Sequence, residues 1–111
     1  MISFNERYYR HGAVDNTQLL EKTGHYYSVF WKTKDRSADV KIRLDYRHRD
    51  SGPKVYSSEV NIDKIRRRNV TKFEVTGEEY QTLGPVTAWK ISLIINGEVS
   101  GETESFLWKK N

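Results

Sequence analysis

The stretch VKIRLDYRHR, residues 40–49, contains the clearest structural signal in the chain, an alternation of apolar and charged residues. Val40, Ile42, Leu44 and Tyr46 occupy every second position, and charged residues fill the positions between them. Successive side chains of a β-strand point to opposite faces of the sheet. The pattern therefore predicts a strand with one buried face and one charged face, in an antiparallel sheet.

Six further segments are predicted to be strands, because they alternate or are rich in β-branched and aromatic residues. They span about 13–20, 26–33, 55–62, 70–76, 86–95 and 99–108. Residues 15–21 could instead form a short helix capped by Asp15, so an edge strand at 13–20 and a helix both stay open. Residues 77–84 are expected to form a loop. Seven short strands at this spacing predict an all-β fold, an antiparallel sandwich of two sheets and about seven strands.

The Asn-Gly dipeptide at 96–97 is the strongest hairpin signal in the chain, because both residue types tolerate positive φ. A plain two-residue turn would place apolar side chains opposite acidic ones. A one-residue bulge would instead place Ile95 opposite Val99 and Ile91 opposite Thr103, and we favour that register.

The predicted core follows from the apolar positions of these strands. It consists of Val29, Trp31, Val40, Ile42, Leu44, Tyr46, Val60, Phe73, Val75, Trp89, Ile91 and Leu93. Three acidic residues share one face of the last strand, namely Glu98, Glu102 and Glu104. We expect that strand to be an exposed edge, where charges oppose pairing with other chains.

The chain of 111 residues is expected to be one domain, with an N-terminal segment at 1–23 and the sandwich at 24–111. Three Trp, seven Tyr and four Phe supply bulky core groups that disordered chains lack. There is no cysteine, which excludes disulfides, cysteine-based zinc sites and a thiol nucleophile. The first residues have no apolar core of a signal peptide, and no stretch reaches transmembrane length. We expect a soluble chain, whether complete or the soluble part of an exported or anchored protein.

Two segments resemble the fibronectin type III module, a relative of immunoglobulin domains. VFW at 29–31, followed by the alternation at 40–46, is similar to that family's second-strand Trp and third strand. LGPVTAW at 83–89 matches the family pattern Leu-x-Pro-x-Thr-x-Tyr at the entry to the sixth strand, except that Trp89 replaces the tyrosine. The family's tyrosine hydroxyl bonds to nearby backbone, and here only an indole N–H could do so. The proline-rich entry to the family's first strand is also missing.

This resemblance covers about residues 24–108. It implies a fibronectin type III-like or immunoglobulin-like sandwich that serves as a scaffold for protein contacts, without naming a partner.

No catalytic, metal-binding or cofactor-binding motif is present in the sequence. His11, His25 and His48 have no metal-ligand spacing, and neither a nucleophile elbow nor a phosphate-binding glycine loop occurs. His48 lies on the apolar side of its strand, where a hydrogen-bonded structural histidine is the simpler interpretation. We therefore expect a protein that is not an enzyme and has no cofactor.

The candidate binding residues are basic. Lys41, Arg43, Arg47 and Arg49 share the charged face of one strand, and Arg66, Arg67 and Arg68 follow in a loop. The net charge is +4. Basic patches attract nucleic acids and other polyanions, although such a face is also common as an ordinary solvated surface.

The first functional hypothesis is a non-enzymatic protein-interaction or structural module, which binds another protein or a second copy of itself. The alternative is binding of nucleic acid or an acidic glycan through the basic residues. A third hypothesis is carbohydrate binding by exposed aromatic side chains. In the pairs at 8–9 and 26–27, one tyrosine should point to each face of an extended backbone.

Residues 69–71 also form a glycosylation sequon, which has meaning only in a eukaryotic secretory pathway.

Overall fold

The computed structural model describes residues 2–4, 12–21 and 24–108. Within these residues the chain forms eight strands, one α-helix and a single 3₁₀ turn at Phe106–Trp108. The elements are β1 Ile2–Phe4, β2 Gly12–Glu21, β3 His25–Thr33, β4 Val40–His48, β5 Tyr56–Ile62, β6 Asn69–Val75, α1 Gly77–Leu83, β7 Val86–Ile95 and β8 Glu98–Ser105. All seven predicted strands are present, and β1 is an addition that pairs with β8.

The strands form two antiparallel sheets. The large sheet has the order β1-β8-β7-β4-β5, and the small sheet has the order β2-β3-β6. This arrangement confirms the all-β, two-sheet prediction. The strand alternative for segment 13–20 is also confirmed, because β2 pairs with β3 and forms an edge of the small sheet.

The core lies between the inner faces of the two sheets. The small sheet contributes Trp31 and Val29, and the large sheet contributes Ile42, Leu44 and Ile91, all at most 1% exposed. Each such aliphatic side chain contributes about 1.5–3 kcal/mol when it is fully buried. Eleven of the twelve predicted core residues are buried, and the exception is Val60, which is only partly buried. Val60 lies on β5, the edge of the large sheet, where no neighbouring strand covers it among the described residues.

The β7–β8 hairpin combines the two registers that the sequence suggested. Asn96 and Gly97 have φ values of 52° and 84°, and Ile95 pairs with Glu98 as in a plain two-residue turn. A bulge then shifts the register between Leu93 and Ile94, so that Ile91 pairs with Thr103 as predicted. The predicted bulge is present, but the predicted pairing of Ile95 with Val99 is wrong because the bulge lies further from the turn.

Two other predictions are corrected. Residues 77–83 form the helix α1 rather than a loop. The helix has no buried residue, and so it leaves no hydrophobic periodicity in the sequence. In addition, β8 is not an edge strand, since it lies between β1 and β7, and its residue Glu102 forms an ion pair with Lys90 at 2.8 Å.

Candidate binding surfaces and the His48 cluster

The predicted basic strand face lies on the outer side of the large sheet, where neighbouring groups contact three of its four cations. Arg43 donates from Nε to Asp45 on the same strand at 3.1 Å. Beyond the end of β4, Arg49 donates to the carboxylate of Asp50 at 3.2 Å. The hydrogen bond that Arg49 donates to Asp50 and the negative charge of that carboxylate raise the pKa of the Arg49 guanidinium. Arg43 and Arg49 therefore have acidic partners within the chain itself.

Arg47 is held by the 3₁₀ turn that follows β8. Its guanidinium lies 4.6 Å from the ring centroid of Trp108 and donates to the Trp108 carbonyl at 3.3 Å. Lys41 is the one predicted strand-face cation without an ion-pair or hydrogen-bond partner in the described part of the chain. Three of the four cations thus have partners, two of them carboxylates, and the strand face does not form a continuous stripe of available cations.

The predicted loop arginines lie elsewhere, at the start of β6. Asn69 shapes this loop, because its Oδ1 accepts from the Arg66 backbone N–H at 2.8 Å. Its Nδ2 donates to the Arg66 carbonyl at 3.0 Å and to the Trp31 carbonyl at 3.3 Å. The Asn69 side chain is buried, at 8% exposed, so the amide nitrogen of the sequon is occupied by structural hydrogen bonds.

Arg67 and Arg68 line a concavity with the end of β3, which we call the basic groove. Its volume is about 430 Å³. The side chains that define it are Phe30 and Lys32 from β3, Arg67 and Arg68 from the loop, and Val70 from β6. An adjoining concavity of about 300 Å³ shares Lys32 and Arg67 and adds Lys34 and Arg36. The structure therefore separates the loop arginines from the strand face and places them beside a different set of cations.

Neither concavity has an acidic lining residue among the described parts of the chain. Arg67 and Arg68 form no ion pair or hydrogen bond with any described residue, and the same holds for Lys34 and Arg36. The sequence prediction missed Lys32, Lys34 and Arg36. A signal was present, since these cations alternate directly after Trp31 along the end of β3 and the following turn.

The His48 cluster, consisting of Tyr46, His48, Tyr56 and Glu79, lies at the other end of the sandwich. His48 Nδ1 contacts the Gly84 carbonyl at 2.7 Å, and Nε2 contacts Glu79 Oε2 at 2.7 Å. Because a carbonyl only accepts, Nδ1 must carry a hydrogen. Tyr46 donates its hydroxyl to the same Glu79 oxygen at 2.7 Å. The cluster fastens α1 to the end of β4.

Burial and hydrogen bonds both shift the pKa values of this cluster, in the same direction for Tyr46 and in opposite directions for Glu79. Burial and the hydrogen bond to Glu79 raise the pKa of the Tyr46 hydroxyl. Burial alone would raise the pKa of Glu79, but the hydrogen bonds from Tyr46 and His48 and the charge of His48 outweigh it and lower that pKa. Glu79 is thus held in its ionised form.

Of the three histidines, His48 and His25 have structural contacts and the third lies outside the described residues. The His48 side chain is completely buried, and both of its ring nitrogens contact protein groups. His25 accepts a hydrogen bond from the Val86 N–H at 3.1 Å and packs edge-on against Tyr80. His11 lies outside the described residues. The part of the chain that the structure describes contains no group of three or more His, Cys, Asp or Glu that could hold a metal ion.

The tyrosine pair at 26–27 behaves as predicted, since Tyr27 is 1% exposed and Tyr26 is partly exposed on the opposite face. The pair at 8–9 lies outside the described residues. Within the described ranges, none of the helices combines the length and the apolar character that crossing a membrane requires.

No protein-family model matches this chain, and a search of curated proteins gave no significant match.

Proposed function

We propose that this chain is a non-enzymatic β-sandwich module, fibronectin type III-like in its strand arrangement, that binds another protein. Immunoglobulin-like sandwiches place their strands A, B and E in one sheet and C, F and G in the other. Here the small sheet holds β2, β3 and β6, and the large sheet holds β4, β7 and β8 in the corresponding order. Exposed sheet edges and the loops between strands are places where proteins bind partners.

One feature argues for divergence from that family. Trp89 stands at the position of the family's corner tyrosine. Its ring packs edge-on against Tyr27 at a centroid distance of 5.7 Å, and its indole N–H forms no hydrogen bond with the described residues. Packing of the two rings thus takes the place of the corner hydrogen bond in our proposal.

The observation that carries the proposal is the edge strand β5. It pairs with β4 without interruption from Tyr56 to Ile62, and its other side has no neighbouring strand in the described residues. Natural edge strands are usually protected by prolines, bulges or several charges. The seven residues of β5 contain one charge, Glu59, and neither a proline nor a bulge. An open edge of this kind offers backbone donors and acceptors to an added strand.

The inner face of β5 supports the same proposal. Tyr56, Val60 and Ile62 pack against the core but stay partly exposed. A strand added beside β5 would cover these apolar side chains while it extends the backbone hydrogen bonding, so both effects favour binding.

The test is affinity capture from an extract of cells that express the protein, with a variant whose edge is blocked by charge. Ser58→Lys/Asn61→Lys places two lysines on the edge, and Gln81→Lys/Thr82→Lys places two on the exposed face of α1 as a matched control. We expect the first variant to lose the captured protein by about tenfold or more, and the control to retain it, since lysines on an edge oppose strand pairing. Retention by both variants, or capture no better than by an unrelated β-sandwich, would contradict the proposal.

A second candidate function is binding of nucleic acid or an acidic glycan. The basic groove supports it, whereas the paired charges of the strand face do not. It predicts an affinity that falls steeply with salt, because each neutralised phosphate or sulfate releases counterions.

A further inference from the structure

We infer that the basic groove binds an acidic segment of the protein partner, with an apolar side chain against Phe30 and Val70 and carboxylates at Arg67 and Arg68. The inference rests on the proposed protein-binding function and adds a second contact site, distinct from the β5 edge.

Charge complementarity identifies the sign of the ligand. Arg67 and Arg68 line the groove, and Lys34 and Arg36 extend the same positive field into the adjoining concavity. Among the described residues, no acidic side chain lines either space to offset this charge. Guanidinium groups bind carboxylates through two parallel hydrogen bonds, and paired arginines therefore suit an acidic peptide.

The apolar part of the groove lining indicates that the ligand also carries an apolar side chain. Val70 is 51% exposed, and the partly exposed Phe30 ring belongs to the neighbouring strand, where Phe30 pairs with Val70 in the register. A purely ionic ligand would leave this apolar surface in contact with water. A segment that carries a large apolar side chain between acidic residues would cover it, which favours binding by the hydrophobic effect.

The spacing of aromatic rings argues for a peptide over a single-stranded nucleic acid. Non-specific single-strand binders stack successive bases on successive aromatic rings. Trp31 is 1% exposed, so Phe30 is the one accessible ring in the groove. Tyr26 lies on the same face but four residues away, roughly 13 Å along the strand at about 3.3 Å per residue. That distance is too long for neighbouring stacked bases.

The backbone of the groove is already held in shape. Asn69 fixes the loop through Arg66, and the Trp31 indole Nε1–H donates to Thr71 Oγ1 at 2.9 Å beneath it. A preformed site loses less conformational freedom when a ligand binds, so a short segment can bind measurably.

The experiment is a fluorescence-anisotropy titration with three probes, at low and at physiological salt. The probes are a short labelled peptide of glutamates around one phenylalanine, an all-glutamate peptide of equal charge, and a labelled oligothymidylate of equal charge. The variants are Arg67→Gln/Arg68→Gln and Val70→Ser. The charge-matched control is Lys41→Gln/Arg49→Gln, which removes two cations from the predicted strand face.

We expect the arginine variant to weaken the phenylalanine-containing peptide about tenfold and the control less than about twofold, since two directed contacts are lost in one case only. Val70→Ser should weaken that peptide about threefold and leave the all-glutamate peptide unchanged, because only the former covers the valine. Equal losses in the arginine variant and its control, absence of peptide binding, or tighter binding of the oligothymidylate would overturn the inference. The β5 edge test does not involve the groove, so the inference about the groove can fail while the proposed function stands.

Discussion

The two ends of the sandwich use polar side chains in opposite ways. At one end, in the His48 cluster, both ring nitrogens of His48 and the hydroxyl of Tyr46 have partners at 2.7 Å. At the other end, in the basic groove, Arg67 and Arg68 have no partner among the described residues. In these two regions, polar groups that have partners hold the fold together, and charges without described partners lie where a ligand can reach them.

The connections between the sheets explain this difference. At the His48 end the chain passes from β6 to β7 through α1, which brings Glu79 onto Tyr46 and His48 at the end of β4. At the groove end it passes from β5 to β6 through residues 63–68, a polar segment without helix or strand. The first connection brings an acid into contact with the large sheet, whereas the second places Arg67 and Arg68 beside the small sheet without an acidic partner among the described residues.

The largest expected effect comes from removing the histidine. His48→Ala should lower the free energy of unfolding by about 2–3 kcal/mol, because it leaves Glu79 and the Gly84 carbonyl without their partner. Urea denaturation measures the change. The groove variant Arg67→Gln/Arg68→Gln should stay within about 0.5 kcal/mol of the wild type. If both variants lose stability equally, the contrast between the two ends is wrong.

Smaller changes in stability, of opposite sign, are expected from replacing two buried threonines with valine. Thr103 is 0% exposed and its hydroxyl has no hydrogen-bond partner among the described residues, whereas Thr71 Oγ1 accepts from the Trp31 indole. Thr103→Val should stabilise the protein by about 1 kcal/mol, since it removes an unpaired buried polar group. Thr71→Val should destabilise it by about 1–2 kcal/mol, since it leaves an indole N–H unpaired. Thermal unfolding of the two isosteric variants measures both signs, and a loss of stability in Thr103→Val would contradict this interpretation.

The smallest effect is expected in acid. The pKa of Glu79 is lower in the folded protein than its ordinary value of 4.5, so ionised Glu79 stabilises the fold above that value. This contribution is lost as the pH falls through the folded-state pKa. The Glu79 side chain is 38% exposed, so solvent screening keeps the contribution modest. The urea midpoint should fall more in the wild type than in Glu79→Gln between about pH 6 and about pH 3, and equal falls would exclude Glu79 as a cause.

The sequence predicted the fold through local patterns that depend on few neighbours. Period-two alternation identifies β4 because a strand has two faces and every second residue lies on the same face. In β4 one of these faces is buried and the other is partly exposed. Hydrophobic periodicity does not identify α1, because all residues of this helix are partly or fully exposed. The residues from Thr76 to Glu79 do have the spacing of a capping box, although the Thr76 side chain forms no cap hydrogen bond. The prediction also failed for β8, because alternation does not reveal which strands lie at an edge.

The candidate site was predicted less well than the fold. The seven predicted cations include Arg67 and Arg68, but the sequence grouped them with Lys41 and Arg43 because all share one charge sign. The structure places them with Phe30 and Lys32, which are more than thirty residues away in the chain. Contacts of this kind arise from strand pairing, which joins distant segments and leaves no mark in local composition.

The sequence by itself thus determined that this protein is a two-sheet sandwich, since alternation in β4 and the Asn-Gly turn at 96–97 act over neighbouring residues. The tertiary structure alone decided which charges are paired and which are available. A carboxylate neutralises a cation only within a few ångströms, and the fold determines which charges come that close. The alternation that begins at Val40 therefore predicted a charged face. Among the described residues Arg43, Arg47 and Arg49 have partners there and Lys41 has none, so most of the available cations lie in the groove and the adjoining concavity.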